Sequence, residues 1–221
     1  MNWLRNNWYY LGGVIFVGLT FFVALFGDGL DPRQRLAIVL FMTLLIHQFE
    51  EYACPGGFPL SWNAGASGER ELYDRYPMNK KGCVFSNVSF WVVYTIVIFL
   101  YEIPVLVIML SYVGFGQLMM HGVMINKKSG TKYNPGMATS IFVMVPVGIY
   151  TIWFYAANYD FTAWTWVFAA LILVVLMITL LALPLKVTMD KDSPYRYTEE
   201  ELKRGGVPAR LNIVIGEKEG K

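Results

Sequence analysis

The chain has 221 residues, 56% of them apolar and only 15% charged, with a mean hydropathy of +0.44. Water-soluble domains carry about a quarter charged residues, so this composition excludes an ordinary soluble protein and points to a membrane class. The formal net charge of +2 says little by itself, but no nucleic-acid motif or array of basic and aromatic side chains stands out, so nucleic acid is not expected as a partner.

A spanning helix needs about 20 mainly apolar residues. Six stretches qualify: Asn7–Phe26, Arg35–Tyr52, Val84–Tyr101, Pro104–Ile125, Gly136–Ala156 and Trp164–Leu185. The expected fold is therefore all-α, a polytopic membrane bundle of about six transmembrane helices. The first stretch has no small-residue cleavage site and reads as an anchor, not a signal peptide. The second is unusual because its last turns carry His47, Glu50 and Glu51. The third and fourth join through Tyr101-Glu102-Ile103-Pro104, which makes them an antiparallel hairpin. Gly12-Gly13 and Gly114-Phe115-Gly116 are places for close helix approach.

Two polar segments remain. The connection at 53–82 is rich in Gly, Pro and aromatics, is expected to hold a short helix over Gly68–Tyr76, and starts directly after the glutamates, where a lid would sit. Residues 1–185 thus form a transmembrane domain and 186–221 a charged tail. In the tail, Thr198-Glu199-Glu200-Glu201 predicts a capping box opening a helix, and Arg210–Gly216 a strand or a packed strip. All Lys and Arg except Arg33 and Arg35 fall on one flank of the spans, which predicts a multi-pass protein with both termini cytoplasmic. Cys54 and Cys83 share that flank and are expected to be reduced, without a disulfide.

That orientation gathers polar groups from four helices at one depth: His47, Glu50 and Glu51; Asn87; Gln117 and His121; and Tyr133-Asn134-Pro135-Gly136. A charge at the centre of a spanning helix costs about 2.5–3.5 kcal/mol, so such residues pair, bind an ion or carry chemistry. Residues three and four apart share a helix face, which puts both glutamates near His47 and aligns Gln117 with His121. These are the only two histidines in the chain. The plainer reading is a buried His47 bonded to a carbonyl, with the glutamates reaching water or pairing with Lys80 or Lys81. Asn134 and Pro135 also suit an ordinary helix start, whose free N–H groups favour an anionic substrate group.

The order His47-Gln48-Phe49-Glu50-Glu51, then His121, then Tyr133-Asn134-Pro135-Gly136 resembles the HXXEE-motif membrane protein family, over about residues 10–185. That resemblance supports a cluster but implies no reaction, because the family is functionally uncharacterised. Intramembrane CAAX-type proteases are less similar, since Pro55 stands where their Glu-Glu-x-x-x-Arg element has arginine.

Three functions fit these residues. In a metal-dependent hydrolase, His47, His121 and one glutamate, Glu50 in the leading assignment, hold one divalent ion, zinc first and iron second. The other glutamate then serves as base, Asn87 or Tyr133 steadies the oxyanion, and Gln117 and Asn134 contact substrate. The substrate expected is a lipid or another amphipathic small molecule. The alternatives are a metal-free Glu/His acid–base isomerase or hydrolase of a lipid or isoprenoid, and a small proton-coupled transporter.

Overall fold

A computed structural model describes residues 2–216 of the chain. Seven principal helices account for the bundle and the segment that covers it: α1 (Asn2–Phe26), α2 (Pro32–Tyr52), α3 (58–66), α4 (Lys80–Phe99), α5 (Pro104–Ser129), α6 (Met137–Asn158) and α7 (Ala163–Thr188). No strand occurs among the described residues. Five of these helices, α1, α4, α5, α6 and α7, are long and apolar enough to cross a membrane.

The sixth expected span, α2, has 21 residues but too many polar ones to pass the same test. Its position explains that composition. It packs against α1, α4, α5 and α6, and thirteen of its side chains are buried, among them His47, Gln48, Glu50 and Glu51. A central helix needs partners for its polar groups more than it needs an apolar face for lipid. At the periphery the pattern inverts, and α7 presents Phe168, Leu171, Val174, Val175 and Ile178 outward. Such broad apolar exposure fits hydrocarbon surroundings, and it marks the chain as an integral membrane protein.

Local chemistry sets the helix ends. Asp31 caps α2 by accepting from the Arg33 backbone N–H (2.8 Å), with Pro32 at the first helical position. Asn79 caps α4 by accepting from the Gly82 N–H (3.0 Å). The α5–α6 crossing is as close as expected at Gly114, where an added Cβ would lie 3.0 Å from the Met144 backbone, and Gly148 meets the Ser111 carbonyl in the same way at 2.9 Å. Gly116 has nothing within 4 Å and takes no part in it. Beyond that crossing α5 widens into a π-helical stretch, Leu118–Ile125, with His121 buried inside it.

Two polar segments differ from expectation. Gly68–Tyr76 is a series of bends and turns, because Gly68 has a positive φ and the Glu69 carboxylate accepts from the Glu71 and Leu72 N–H groups (2.9 and 3.0 Å). Those bonds replace the helical ones. The helix of this connection is α3 instead, held by Asn63, which bonds the Tyr73 and Met78 carbonyls (both 2.9 Å). In the tail the capping box forms as predicted and opens α8 (Glu199–Lys203). The strand alternative for Arg210–Gly216 does not hold: Arg210 and Leu211 close a short α9 (Val207–Leu211), which ends at Asn212 in the left-handed region. Ile213 and Ile215 then pack on the core as a strip. The tail lies across the connection through Tyr197 N–H to Asp74 O (2.7 Å), Lys80 N–H to Tyr195 O (3.0 Å) and Arg75 Nε to Lys191 O (2.8 Å).

Candidate metal centre

His47 and Glu51 lie one turn apart on the inward face of α2, and His121 approaches from α5. The Glu51 Oε1 atom is 3.7 Å from His47 Nε2 and 3.3 Å from His121 Nε2. The three potential ligand atoms all lie within 4.8 Å of one another. Both histidines are 0% exposed and Glu51 is 4% exposed.

Hydrogen bonding behind the rings fixes where their protons sit. Asn134 Nδ2 donates to the His121 carbonyl (2.7 Å) and to Asn126 Oδ1 (2.8 Å), so Asn134 Oδ1 accepts from His121 Nδ1–H (2.7 Å). The Thr139 hydroxyl donates to Glu50 Oε2 (2.5 Å), so its oxygen accepts from His47 Nδ1–H (3.0 Å). Each Nε2 therefore presents a lone pair, and both are buried without a hydrogen-bond partner. With Glu51 Oε1, three electron-pair donors converge, and neither Nε2 has a hydrogen-bond partner among the described residues. Burying unanswered polar atoms is costly, and a cation is what such a set accommodates. Two imidazoles oriented through Nδ1, with one carboxylate, make up a common donor set for a divalent metal.

Glu50 is directed elsewhere, although it is the neighbour of Glu51. One residue along a helix turns a side chain by about 100°. Its carboxylate accepts from Tyr133 OH (2.8 Å), the Ala138 N–H (3.2 Å), the Thr139 N–H (2.7 Å) and the Thr139 hydroxyl. The start of α6, expected to receive an anionic substrate group, thus receives the chain's own anion. Glu50, the leading ligand by sequence, stands one hydrogen bond behind His47, and the carboxylate beside both imidazoles is Glu51. Tyr133 is held by this contact too; its phenol is pushed above the ordinary range by burial and by donating to Glu50.

Every letter of Tyr133-Asn134-Pro135-Gly136 except the proline now has a partner in the cluster. Gly136 has φ +99°, and a Cβ there would fall 2.5 Å from His121 Cε1 and 3.0 Å from Glu51 Cγ. Only glycine fits that conformation and that gap. Phe58 of α3 stacks obliquely on the His121 ring, with centroids 5.3 Å apart, so the connection does cover the site.

The remaining candidates divide. Gln117 lies beside the His47 ring, and its Oε1 is buried without a partner. Asn87 is not brought into the cluster: its Oδ1 accepts from Gln48 Nε2 (3.0 Å), Gln48 Oε1 accepts from Trp91 Nε1–H (2.6 Å), and its own Nδ2 donates to the Cys83 carbonyl (2.9 Å). That network ties α2 to α4. Lys80 pairs with Glu201 (2.7 Å) and Asn6 (3.1 Å), not with either glutamate. Cys54 is exposed beyond the end of α2, Cys83 is buried, and both thiols are free. Sequence reasoning missed Gln48, Phe58 and Thr139. The available signal for Thr139 was a hydroxyl in the first turn of a helix that follows Pro-Gly.

A helical membrane bundle that buries two imidazoles and a carboxylate at one end defines the class. The family model described as "Protein of unknown function with HXXEE motif" matches residues 38–151, just over half of the chain, and the chain belongs to that family. No curated protein and no solved structure matches it.

Proposed function

We propose that this protein is a membrane-embedded, metal-dependent hydrolase of a lipid or another amphipathic, membrane-derived substrate, with a divalent ion held by His47, His121 and Glu51. The observation that carries the reading is the acceptor-only cluster, in which two unpartnered Nε2 lone pairs face one carboxylate oxygen in a buried setting. Zinc is the first choice and iron the second, since imidazole and carboxylate suit both. When bound, the ion supplies Lewis acidity toward water and toward a carbonyl or phosphoryl oxygen.

The chain's own residues do the rest. Asn134 and the Thr139–Glu50 pair hold the imidazole tautomers, Tyr133 holds Glu50, and Phe58 excludes bulk water. Glu50 and Tyr133 are positioning residues, not proton-transfer groups. Gln117 Oε1 is the free acceptor for a water or substrate hydroxyl. The apolar outer surface supports a substrate arriving from the bilayer, and the basic flank supports a cytoplasmic location for this end of the bundle.

The 3.3 Å separation of His121 Nε2 and Glu51 Oε1 favours a second reading, in which the two share a proton and act as a metal-free acid–base pair. Metal content of the detergent-purified protein, measured by plasma mass spectrometry, separates the two. About one zinc or iron per chain, lost in the His47→Ala/His121→Ala variant, is expected. Full occupancy in that variant, or a metal-free parent purified without chelators, overturns the metal reading.

A further inference from the structure

The candidate centre is sealed. Its three ligand groups are buried, and neither the water-sized cavity between Tyr52, Lys80 and Tyr197 nor the polar cleft at Asp74, Arg196 and Gly216 is lined by any of them. A ligand larger than an ion reaches these buried groups only if part of the surrounding protein moves. On three sides the walls are α2, α5 and α6, which are long helices packed against one another. The fourth is the non-spanning segment 55–66, which carries Phe58 onto His121.

That segment is held from outside by the tail. Arg204 donates to the Tyr52 carbonyl (2.8 Å) and to Tyr9 OH (3.1 Å). A Cβ at Gly57 would lie 2.5 Å from the Arg204 carbonyl oxygen, and one at Gly65 would meet Leu211 at 3.5 Å, so tail and cover are in direct contact. Arg70 donates to the Leu211 carbonyl (2.8 Å), Glu201 pairs with Lys80, and Arg210 lies 5.4 Å over the Tyr133 ring. Arg204 lies between α8 and α9, which supply the other contacts and have five residues each. Helices that short do not persist without tertiary support. Docking and order of the tail are therefore one equilibrium, and it includes the cover.

We propose that residues 196–211 are a clasp whose release frees segment 55–66 and opens the His47/Glu51/His121 site. Docked, Arg204 pins the end of α2 and the glycine turn before Phe58; undocked, the tail loses its helices and Phe58 can leave the His121 ring. The clasp rests on the site being one that exchanges ligand, as the proposed function requires, but its test needs neither metal nor substrate.

The chain's two histidines make the test specific. Untagged, chelator-treated full-length protein is exposed to diethylpyrocarbonate, and imidazole modification is followed by absorbance and peptide mass spectrometry. Loss of charge-assisted hydrogen bonds in Arg204→Ala is expected to speed modification of His121 roughly tenfold, with faster deuterium uptake over 55–66. Arg70→Ala, which loses only the bond to Leu211, is expected to show a smaller increase in the same direction and guards against general unfolding. Equal modification rates in parent and both variants overturn the clasp. So does faster modification in the variants without added deuterium uptake in 55–66. Metal loss in the histidine variant bears on the proposed function alone, so the two ideas fail separately.

Discussion

The two ends of α2 carry polar clusters of opposite character. At its start, Asp31 accepts from the Arg33 backbone, from Nε (2.9 Å) and from Nη2 (2.6 Å), and the guanidinium lies over the rings of Tyr101 and Tyr159. Donors and acceptors match there, and the charges cancel. At its other end, His47, His121 and Glu51 present acceptors only. A matched cluster is complete as it stands and anchors a helix end. An unmatched and buried one is a set that could hold a cation. That contrast is one of hydrogen-bond matching, and neither burial nor residue type alone reveals it.

The strongest way to break the contrast uses the adjacent glutamates. Glu51→Ala is expected to abolish metal binding, while the metal-free protein keeps its stability within about 1 kcal/mol, because an unanswered acceptor has been removed. Glu50→Ala is expected to do the reverse at the level of folding. It strands the Ala138 and Thr139 N–H groups and the Tyr133 hydroxyl, at a cost of roughly 3 kcal/mol. Thermal unfolding in detergent, read beside metal content, checks both; equal destabilisation by the two changes would erase the distinction.

Gly136→Ala ranks next. Strain at φ +99° and collision with His121 should cost roughly 2 kcal/mol and weaken metal binding by moving one imidazole. The same two measurements test it. Asp31→Ala, at the matched end, should cost only about 1 kcal/mol through loss of the cap and leave metal content unchanged. The hydrogen bond from Arg33 holds the Asp31 carboxyl below the usual carboxylate range. Its contribution is therefore fully present above the unfolded pKa of about 3.9 and is lost as pH falls through the lower folded value. Unfolding scans at falling pH should show the gap between the parent and Asp31→Ala narrowing once the pH drops below about 3.9.

Much of this was legible in the residues. Runs of apolar chain gave the helices to within a few positions, and polar groups inside those runs gave the cluster, because hydrocarbon penalises each one separately. Thr198 with Glu201 announced its helix through a local hydrogen-bond pattern. What stayed hidden depends on rotation and on partners distant in sequence. Glu50 and Glu51 are chemically identical and adjacent, and only the placement of α6 decides which one meets its N-terminus. Asn87 lies at a suitable depth, yet Gln48 and the Cys83 carbonyl claim its amide. Gly68–Tyr76 has helix-forming residues, but the Glu69 side chain competes for the N–H groups a helix would need.

The seat of Glu50 at the start of α6 also governs how variation among related chains should be read. Its oxygens are spoken for by residues 133, 138 and 139, so a replacement at 50 has to be answered by change at Tyr133 or Thr139. Glu51 instead faces only the two imidazoles among the described ion-pair contacts, His47 at 3.7 Å and His121 at 3.3 Å. Inheritance should therefore treat the last two letters of the motif differently: the first drifting only in company, the second held alone.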